Sequence, residues 1–195
     1  MQDPAKPEAA RLGWQLLETS FPLQTKWLKV RRDLLRLPNG HGIEYTYISG
    51  SGAVVVVPVT SSGEMLLIRQ YRYTVDAWCL EVPAGGMHDK GGATPEEVAR
   101  QELCEETGAT CERLEYLSFF YPSNGSSSSK MHLFLALGVQ ISHEPERDET
   151  EVIEVCPLPV REVLDMARGG HIHDGVSALA ILLCEARLRE EGLLG

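Results

Sequence analysis

Residues 94–108, TPEEVARQELCEETG, carry the clearest helix signals of the chain. Thr94 is a favourable N-cap, a proline follows at the first helical position, and Glu97 completes a capping box with the threonine. Gly108 stands where a helix commonly ends, because glycine adopts the left-handed backbone conformation at little cost. These signals predict a helix over residues 95–107.

Three glutamates share one face near the C-terminal end of this predicted helix. Glu102, Glu105 and Glu106 are spaced i, i+3 and i+4, which confines them to an arc of about 100°. Their mutual repulsion and the negative end of the helix dipole both disfavour this arrangement. A divalent cation reverses both effects, and Mg²⁺ accepts carboxylate oxygens together with those of a phosphate. The helix alone also allows the alternative of a solvated acidic face.

Strand-like segments and two further helices flank the predicted helix. The predicted strands are Ala53–Val59, Glu64–Tyr71, Arg113–Tyr121, Met131–Val139 and Glu151–Cys156. The further predicted helices are Arg161–Arg168 and Val176–Glu191. Mixed strands with few helices predict an α/β layered domain.

The first fifty residues predict a separate N-terminal element. Glu8–Glu18 has the composition of a short helix. Trp27–Leu37 and Ile43–Ile48 are strand-like and are joined by the turn PNGHG, which is typical of a β-hairpin. We therefore expect residues 1–50 to form an N-terminal tail and β-hairpin annex, and residues 51–195 to form the main domain.

Composition and charge exclude several classes of partner. The 195 residues carry 28 acidic against 18 basic side chains, for a formal net charge of −10. Such a surface repels phosphate backbones, so we expect no nucleic-acid partner. No apolar run is long enough to cross a bilayer, so we expect no membrane partner. Five cysteines without a C-x-x-C pair predict reduced thiols in a cytoplasmic protein.

Two motifs together resemble the box of the Nudix hydrolases. They are EVPAG at 81–85 and QELCEETGA at 101–109, joined by a loop and the start of the predicted helix. The family pattern is Gly, five residues, Glu, seven residues, Arg-Glu-hydrophobic-x-Glu-Glu-x-Gly-hydrophobic. The resemblance implies a Nudix-type α/β/α sandwich with a mixed sheet and an N-terminal antiparallel β-hairpin annex. It also implies that residues 51–195 are the Nudix hydrolase domain, and that the annex builds a homodimer.

Further segments are similar to one branch of that family, which hydrolyses ADP-ribose and nucleoside diphosphate sugars. These segments are IRQYR at 68–72, FYPS at 120–123, MHLFLA at 131–136 and GHIHDGVSALA at 170–180. The resemblance implies a metal-dependent pyrophosphatase that releases a nucleoside monophosphate and a sugar phosphate. ADP-ribose, a UDP-sugar and GDP-mannose remain alternative substrates. A nucleotide-sugar-binding protein with little turnover is the alternative outside the enzyme class.

The resemblance also implies roles for particular residues. Glu102 and Glu106 are expected to bind Mg²⁺ (or Mn²⁺) directly, Glu105 to lie at the metal or one shell beyond it, and the Ala84 carbonyl to be a further ligand. The same three glutamates are the expected catalytic residues. The expected substrate-binding residues are Arg72, Gln70, Tyr71, Glu81 and Gly86.

The chain departs from the family pattern at three places. Gln101 replaces the arginine of the box, and Ala93 stands at the position of its first glutamate. Gly85 lies two residues early, so the loop before the helix is longer than in the family. The serine-rich loop Ser123–Ser129 lacks the proline that the branch usually has. It also lacks the glutamate that can serve as general base in that branch. We therefore expect Glu105 or an acid of residues 148–151 to assist the attacking water, and Ser126–Ser129 only to cover the site.

Overall fold

The computed structural model describes residues 6–88, 90–145 and 152–194, and the chain divides into two compact units. One unit comprises the chain up to Gly50 together with Ser123–Ser129. The other comprises Ser51–Pro122 and the chain from Lys130 onward.

The N-terminal unit is a short helix followed by a three-stranded antiparallel sheet. Its elements are α1 (Pro7–Arg11), β1 (Gln15–Gln24), β2 (Lys29–Arg36) and β3 (Gly42–Ile48), with the strand order β1-β2-β3. The antiparallel hairpin predicted from the PNGHG turn is present, because β2 pairs with β3 from Val30 opposite Ile48 to Arg36 opposite Gly42. The sequence did not predict β1, which adds a third strand to the annex.

The predicted helix over Glu8–Glu18 is wrong beyond its first turn. Helix α1 ends at Arg11, and Gly13 then adopts a left-handed φ of 73° that stops the helix. The following residues are a strand because β2 supplies hydrogen-bonding partners along β1. The Thr19 hydroxyl also donates to Asp33 of β2 at 2.7 Å. Pairing with a distant segment therefore overrides the local helix composition.

The serine loop belongs to the N-terminal unit and is hydrogen-bonded to the end of β3. The Ile48 amide donates to the Ser126 carbonyl at 2.9 Å, and the Ser128 amide donates to the Ile48 carbonyl at 2.9 Å. The Gly50 amide also donates to the Ser128 hydroxyl at 3.2 Å. These bonds give part of the loop strand-like pairing, which its composition did not indicate.

The larger unit is built on one mixed sheet. Its strands are β4 (Ala53–Thr60), β5 (Glu64–Arg72), β6 (Ala77–Glu81), β7 (Ala84–Gly86), β8 (Ala109–Thr110), β9 (Arg113–Phe120), β10 (Met131–Ile141) and β11 (Ile153–Pro159). The order along the sheet is β11-β5-β4-β10-β8, while β6 pairs with β5, β7 with β4 and β9 with β10. Strands β4 and β10 are parallel, and the other pairs are antiparallel.

Helices cover both faces of this sheet. They are α2 (Pro95–Thr107), α3 (Val160–Arg168) and α4 (Gly175–Glu190). Alternate residues of β4 point to opposite faces, as the period of a strand requires. Val54 and Val56 pack with α2, whereas Val55 and Val57 pack with α3 and α4. The predicted α/β/α sandwich with a mixed sheet is thereby confirmed.

Helix α2 has the ends that its sequence predicts. The Thr94 hydroxyl accepts from the Glu97 amide, and the Glu97 carboxylate accepts from the Thr94 amide at 2.7 Å, so the capping box is complete. Gly108 ends the helix with a left-handed φ of 69°. The predicted strand Glu151–Cys156 is found as Ile153–Pro159, and Glu151 lies outside the described residues.

Two further features concern the whole described chain. Within the described residues, none of the helices is long and apolar enough to cross a membrane. All five cysteines are free thiols. Burial raises the pKa of Cys184 to about 12, which keeps this core thiol protonated at neutral pH.

Candidate active site

The turn between β6 and β7 is anchored by the start of α4. The Val82 amide donates to the Ser177 hydroxyl at 3.1 Å, and that hydroxyl donates to the Asp174 carboxylate at 2.6 Å. Asp174 is also the N-cap of α4, and Ser177 is buried. On the other side of the turn, the Val56 amide of β4 donates to the Pro83 carbonyl at 2.9 Å. The turn therefore has a fixed position beside the sheet.

Two carboxylates of α2 lie against the short strand that follows this turn. Glu106 Oε2 accepts from the Ala84 amide at 3.0 Å. Gly85 faces Glu102 so closely that a Cβ atom on Gly85 would lie 2.0 Å from the Glu102 Cδ atom. Both glutamates are buried. The structure thus brings together Ala84, Glu102 and Glu106, the three residues for which direct metal contacts are predicted.

The third glutamate of the cluster has two partners that the sequence did not reveal. The side-chain amide of Gln101 donates from Nε2 to Glu105 Oε1 at 2.6 Å, and Lys90 Nζ lies 3.3 Å from Glu105 Oε2. The same ammonium lies 2.9 Å from Glu102 Oε1. Burial opposes the charge of Lys90, but the bonds and negative charges of Glu102 and Glu105 outweigh it and raise the pKa of Lys90.

Arg72 and Glu81 form a paired side-chain contact between the ends of β5 and β6. Arg72 Nε donates to Glu81 Oε1 at 2.8 Å, and Nη2 donates to Glu81 Oε2 at 2.5 Å. These hydrogen bonds raise the pKa of Arg72, and the charges of Glu81, Glu106 and Asp174 add to the effect despite partial burial. Arg72 therefore belongs to the same electrostatic environment as the α2 glutamates.

Gln70 lies on the same face of β5 as Arg72, because the two residues are two positions apart in a strand. Gln70 is 6% exposed, and within the described residues its buried Oε1 has no hydrogen-bond partner. A buried acceptor without a donor costs about 1–3 kcal/mol. Its position beside Arg72 is suited to a donor supplied by a bound molecule.

The other two predicted substrate contacts are placed differently. Tyr71 points to the opposite face from Gln70, where its hydroxyl donates to Asp76 at 2.9 Å and its ring meets Trp78. The structure therefore does not group Tyr71 with Arg72. Gly86 ends β7, opposite Ala53 of β4, one residue beyond the glycine that faces Glu102.

Arg69 has partners separate from those of Arg72. It pairs with Glu154 at 2.8 Å, and its guanidinium lies 4.3 Å from the centre of the Trp78 ring. Residues three positions apart in a strand point to opposite faces, and Arg69 and Arg72 accordingly have different carboxylate partners, Glu154 and Glu81.

The oxygen donors around Glu102 and Glu106 fit a hard divalent cation in their chemistry. Two buried carboxylates and a backbone turn meet at one point, and a bulkier residue than Gly85 would fill the space. However, within residues 6–88, 90–145 and 152–194, no three His, Cys, Asp or Glu side chains converge as a metal-binding group. At this point Lys90 Nζ lies close to one carboxylate oxygen of Glu102 and one of Glu105. The donor set is therefore present but is engaged by a lysine.

Comparison with protein families identifies the domain that contains the turn and helix α2. The model of the NUDIX domain matches residues 51–179. The chain belongs to the Nudix family. This match includes the turn, the whole of α2 and the start of α4.

Individual Nudix proteins resemble the chain over most of its length. It is 33% identical over 148 residues to an ADP-ribose pyrophosphatase of Bacillus subtilis (strain 168), a region covering 75% of this chain and 79% of the relative. It is 30% identical over 172 residues to a GDP-mannose pyrophosphatase of Yersinia enterocolitica, covering 82% and 88% respectively. A crystal structure of an ADP compounds hydrolase aligns with a TM-score of 0.81 at 22% identity, covering 93% of this chain and 97% of that one. This last likeness shows the Nudix fold.

Sequence reasoning missed two sets of contacts at this candidate site. The Ser177–Asp174 contact with the turn joins segments 95 residues apart, and no local pattern indicates it. Lys90 lies in the loop that is longer than in the family pattern, so the extra loop length was its only signal. The acidic residues 148–151, proposed as an alternative source of a general base, lie outside the described residues.

Proposed function

We propose that this Nudix hydrolase cleaves the diphosphate of ADP-ribose or of a nucleoside diphosphate sugar, releasing a nucleoside monophosphate and a sugar phosphate. The observation that carries the proposal is the contact of the α2 carboxylates with the turn, in which Glu106 binds the Ala84 amide and Glu102 faces Gly85. The relatives named ADP-ribose pyrophosphatase and GDP-mannose pyrophosphatase support this substrate class.

Glu102, Glu106 and the Ala84 carbonyl would hold Mg²⁺ or Mn²⁺, with Glu105 at the edge of the site. A divalent ion bound there supplies charge neutralisation for the diphosphate and makes an adjacent water more acidic. The protein holds these ligands in place through packing, because Glu102 and Glu106 are buried on a helix whose ends are fixed by caps. A fixed donor geometry reduces the reorganisation that the reaction requires.

Arg72 and Gln70 are suited to bind the substrate beside the glutamates. The Arg72 guanidinium can form charge-assisted hydrogen bonds to a diphosphate oxygen, while Glu81 holds its orientation. Gln70 Oε1 can accept a hydrogen bond from a substrate hydroxyl, which satisfies a buried acceptor. Recognition of the sugar by such a contact would distinguish substrates that differ in hydroxyl position.

Fewer residues can act as the general base here than in the usual branch, because the serine loop has no glutamate. The serine loop offers hydroxyl groups, which accept a proton poorly at neutral pH. Glu105 is partly exposed and adjoins the two buried glutamates. We therefore assign assistance of the attacking water to Glu105 or to an acid of residues 148–151.

The N-terminal unit supports a homodimer. Several of its large apolar side chains are exposed within one chain. They include Leu16 and Leu17 of β1, and Trp27 of the connection between β1 and β2, which is 68% exposed. Exposed apolar groups of this density commonly mark an interaction surface. We propose that residues 1–50 pair with a second copy, and that the protein acts in the cytoplasm, where its five thiols stay reduced.

A substrate panel tests the proposed function. The protein is incubated with ADP-ribose, UDP-glucose and GDP-mannose in Mg²⁺, in Mn²⁺ and in EDTA, and the products are separated by ion-exchange chromatography. We expect a nucleoside monophosphate and a sugar phosphate from at least one substrate, and no products in EDTA. Tight binding of a nucleotide sugar without products in either metal would instead support the binding protein with little turnover.

A further inference from the structure

Lys90 is a partly buried cation in contact with two of the predicted metal ligands, Glu102 and Glu105. Its Nζ lies 2.9 Å from Glu102 Oε1 and 3.3 Å from Glu105 Oε2, and its side chain is only 17% exposed. The residue comes from the loop between β7 and α2, so its side chain connects that loop to the C-terminal half of the helix. Salt screens such a partly buried contact less than a fully exposed ion pair.

The contact compensates for charge that α2 otherwise leaves unbalanced. The carboxylates of Glu102 and Glu105 repel each other across one turn of helix and face the negative end of the helix dipole. A single ammonium between them offsets both effects. In the family pattern position 101 is an arginine, whereas here Gln101 contributes only a neutral hydrogen bond to Glu105. The longer loop therefore brings a positive charge to a helix that lacks the usual one.

An ammonium and a divalent ion require the same oxygen atoms. Mg²⁺ binds carboxylate oxygens at about 2.0–2.1 Å and demands a regular octahedral arrangement. An ammonium hydrogen-bonded to Glu102 Oε1 occupies that direction of approach, and two cations this close repel each other in a partly buried site. Lys90 has a flexible stem that can withdraw, whereas the carboxylates are held on the helix.

We propose that Lys90 is a displaceable counter-cation, which competes with the divalent metal for Glu102 and Glu105. The proposal rests on the metal site of the proposed function and adds a regulation of that site. Metal binding releases the Lys90 ammonium from Glu102 and Glu105. Metal binding and the contact of Lys90 with the glutamates oppose each other, and such coupling is reciprocal. Removing Lys90 should therefore raise metal affinity by the same factor by which bound metal weakens the Lys90 contact.

Metal affinity is the primary test. Mg²⁺ and Mn²⁺ binding to the EDTA-treated full chain is measured by titration calorimetry for wild type and Lys90→Gln. We expect Lys90→Gln to bind at least about fivefold more tightly, the lower end of typical coupling between sites. Lys90→Arg keeps the charge and should remain close to wild type. Lys130→Gln is the matched control, because it removes one charge from a lysine whose ammonium lies 4.3 Å over the Phe119 ring.

Trypsin cleavage provides a second readout that does not depend on turnover. Trypsin cuts after Lys90 only when this side chain is released from the glutamates and can enter the protease. Saturating Mg²⁺ should therefore accelerate the appearance of a fragment whose C-terminal residue is Lys90 in wild type. Equal or weaker metal binding by Lys90→Gln, or slower cleavage with Mg²⁺, overturns the proposal while the metal site stands. If neither wild type nor the variant binds Mg²⁺ or Mn²⁺, the metal site of the proposed function fails as well.

Discussion

Replacement of Gly85 by alanine should move one predicted metal ligand without unfolding the protein. The added Cβ would lie 2.0 Å from Glu102 Cδ and 2.3 Å from each carboxylate oxygen, whereas real Cβ contacts are not shorter than 3.0 Å. The carboxylate must therefore retreat by about 1 Å or more. Gly85 does not have a positive φ, so alanine fits the backbone, and the clash meets the end of a flexible side chain.

The expected effect falls on catalysis more than on stability. A displacement of about 1 Å from productive geometry can reduce the rate by about 10²-fold. We expect Gly85→Ala to lower kcat by about this factor on the best substrate of the panel, and to require a higher Mg²⁺ concentration for half-maximal rate. The loss of unfolding free energy should stay below about 1.5 kcal/mol, within the normal range for single substitutions.

The assay combines turnover at several Mg²⁺ concentrations with urea unfolding of the same samples. Gly175→Ala is the control, because its added Cβ meets no atom within 4 Å and its φ is not positive. A Gly85→Ala variant that keeps kcat and its Mg²⁺ requirement within about threefold of wild type would refute the argument that Gly85 leaves space for the Glu102 carboxylate.

Three further predictions concern the dimer, the serine loop and the helix cap. Sedimentation at micromolar concentration should give a particle of twice the 21.6 kDa chain mass, and a fully active monomer would contradict the role of residues 1–50. Replacing Ser126–Ser129 by alanine should lower kcat less than about tenfold. Glu105→Gln should lower kcat more if Glu105 assists the attacking water. A 10³-fold loss from the serine variant would instead assign that assistance to the serine loop. Hydrogen bonds from the Thr94 amide and hydroxyl lower the pKa of Glu97 from its ordinary 4.5. The ionised Glu97 carboxylate therefore stabilises the fold above pH 4.5, and this stabilisation is lost as the pH falls through the lowered pKa. Glu97→Ala should therefore lower Tm at pH 7, with the difference from wild type narrowing below pH 4.5, and a constant difference would contradict the linkage.

Elements whose signals are local were predictable from the sequence. Helix α2 begins and ends where Thr94 and Gly108 indicate, because capping depends on a few neighbouring residues. The spacing of Glu102 and Glu106 likewise placed both on one face, and the structure turns that face to Ala84 and Gly85. The motif therefore predicted the helix and the face that meets the turn, whereas metal binding by these glutamates stays a prediction.

Elements that depend on distant partners were not predictable. Strand β1 contains the adjacent Leu16 and Leu17, and nearly all of its residues are exposed, so no alternation of buried and exposed positions indicated a strand. Its conformation follows from pairing with β2. The short strands β6, β7 and β8 have the same origin, since two to five residues contain too little periodicity for prediction.

The side-chain contacts of the site were only partly predictable for the same reason. Lys90 reaches Glu102 and Glu105 through the path of the loop, and neither its spacing nor its neighbours in sequence indicated this. Gln70 and Arg72 could be placed on one strand, but only the structure shows that Glu81 holds the arginine and that Tyr71 points away.

The most direct test of the central claim compares wild type with Glu106→Gln on the best nucleotide sugar of the panel, over a range of Mg²⁺ concentrations. Glu96→Gln is the control, because it removes the same charge from the exposed start of the same helix. The account predicts that Glu106→Gln stays folded and loses more than about 100-fold in kcat, at least the loss typical of residues that support metal ligands. Glu96→Gln should remain close to wild type. Near-normal Mg²⁺-dependent turnover by folded Glu106→Gln would contradict the assignment of diphosphate hydrolysis to the α2 carboxylates.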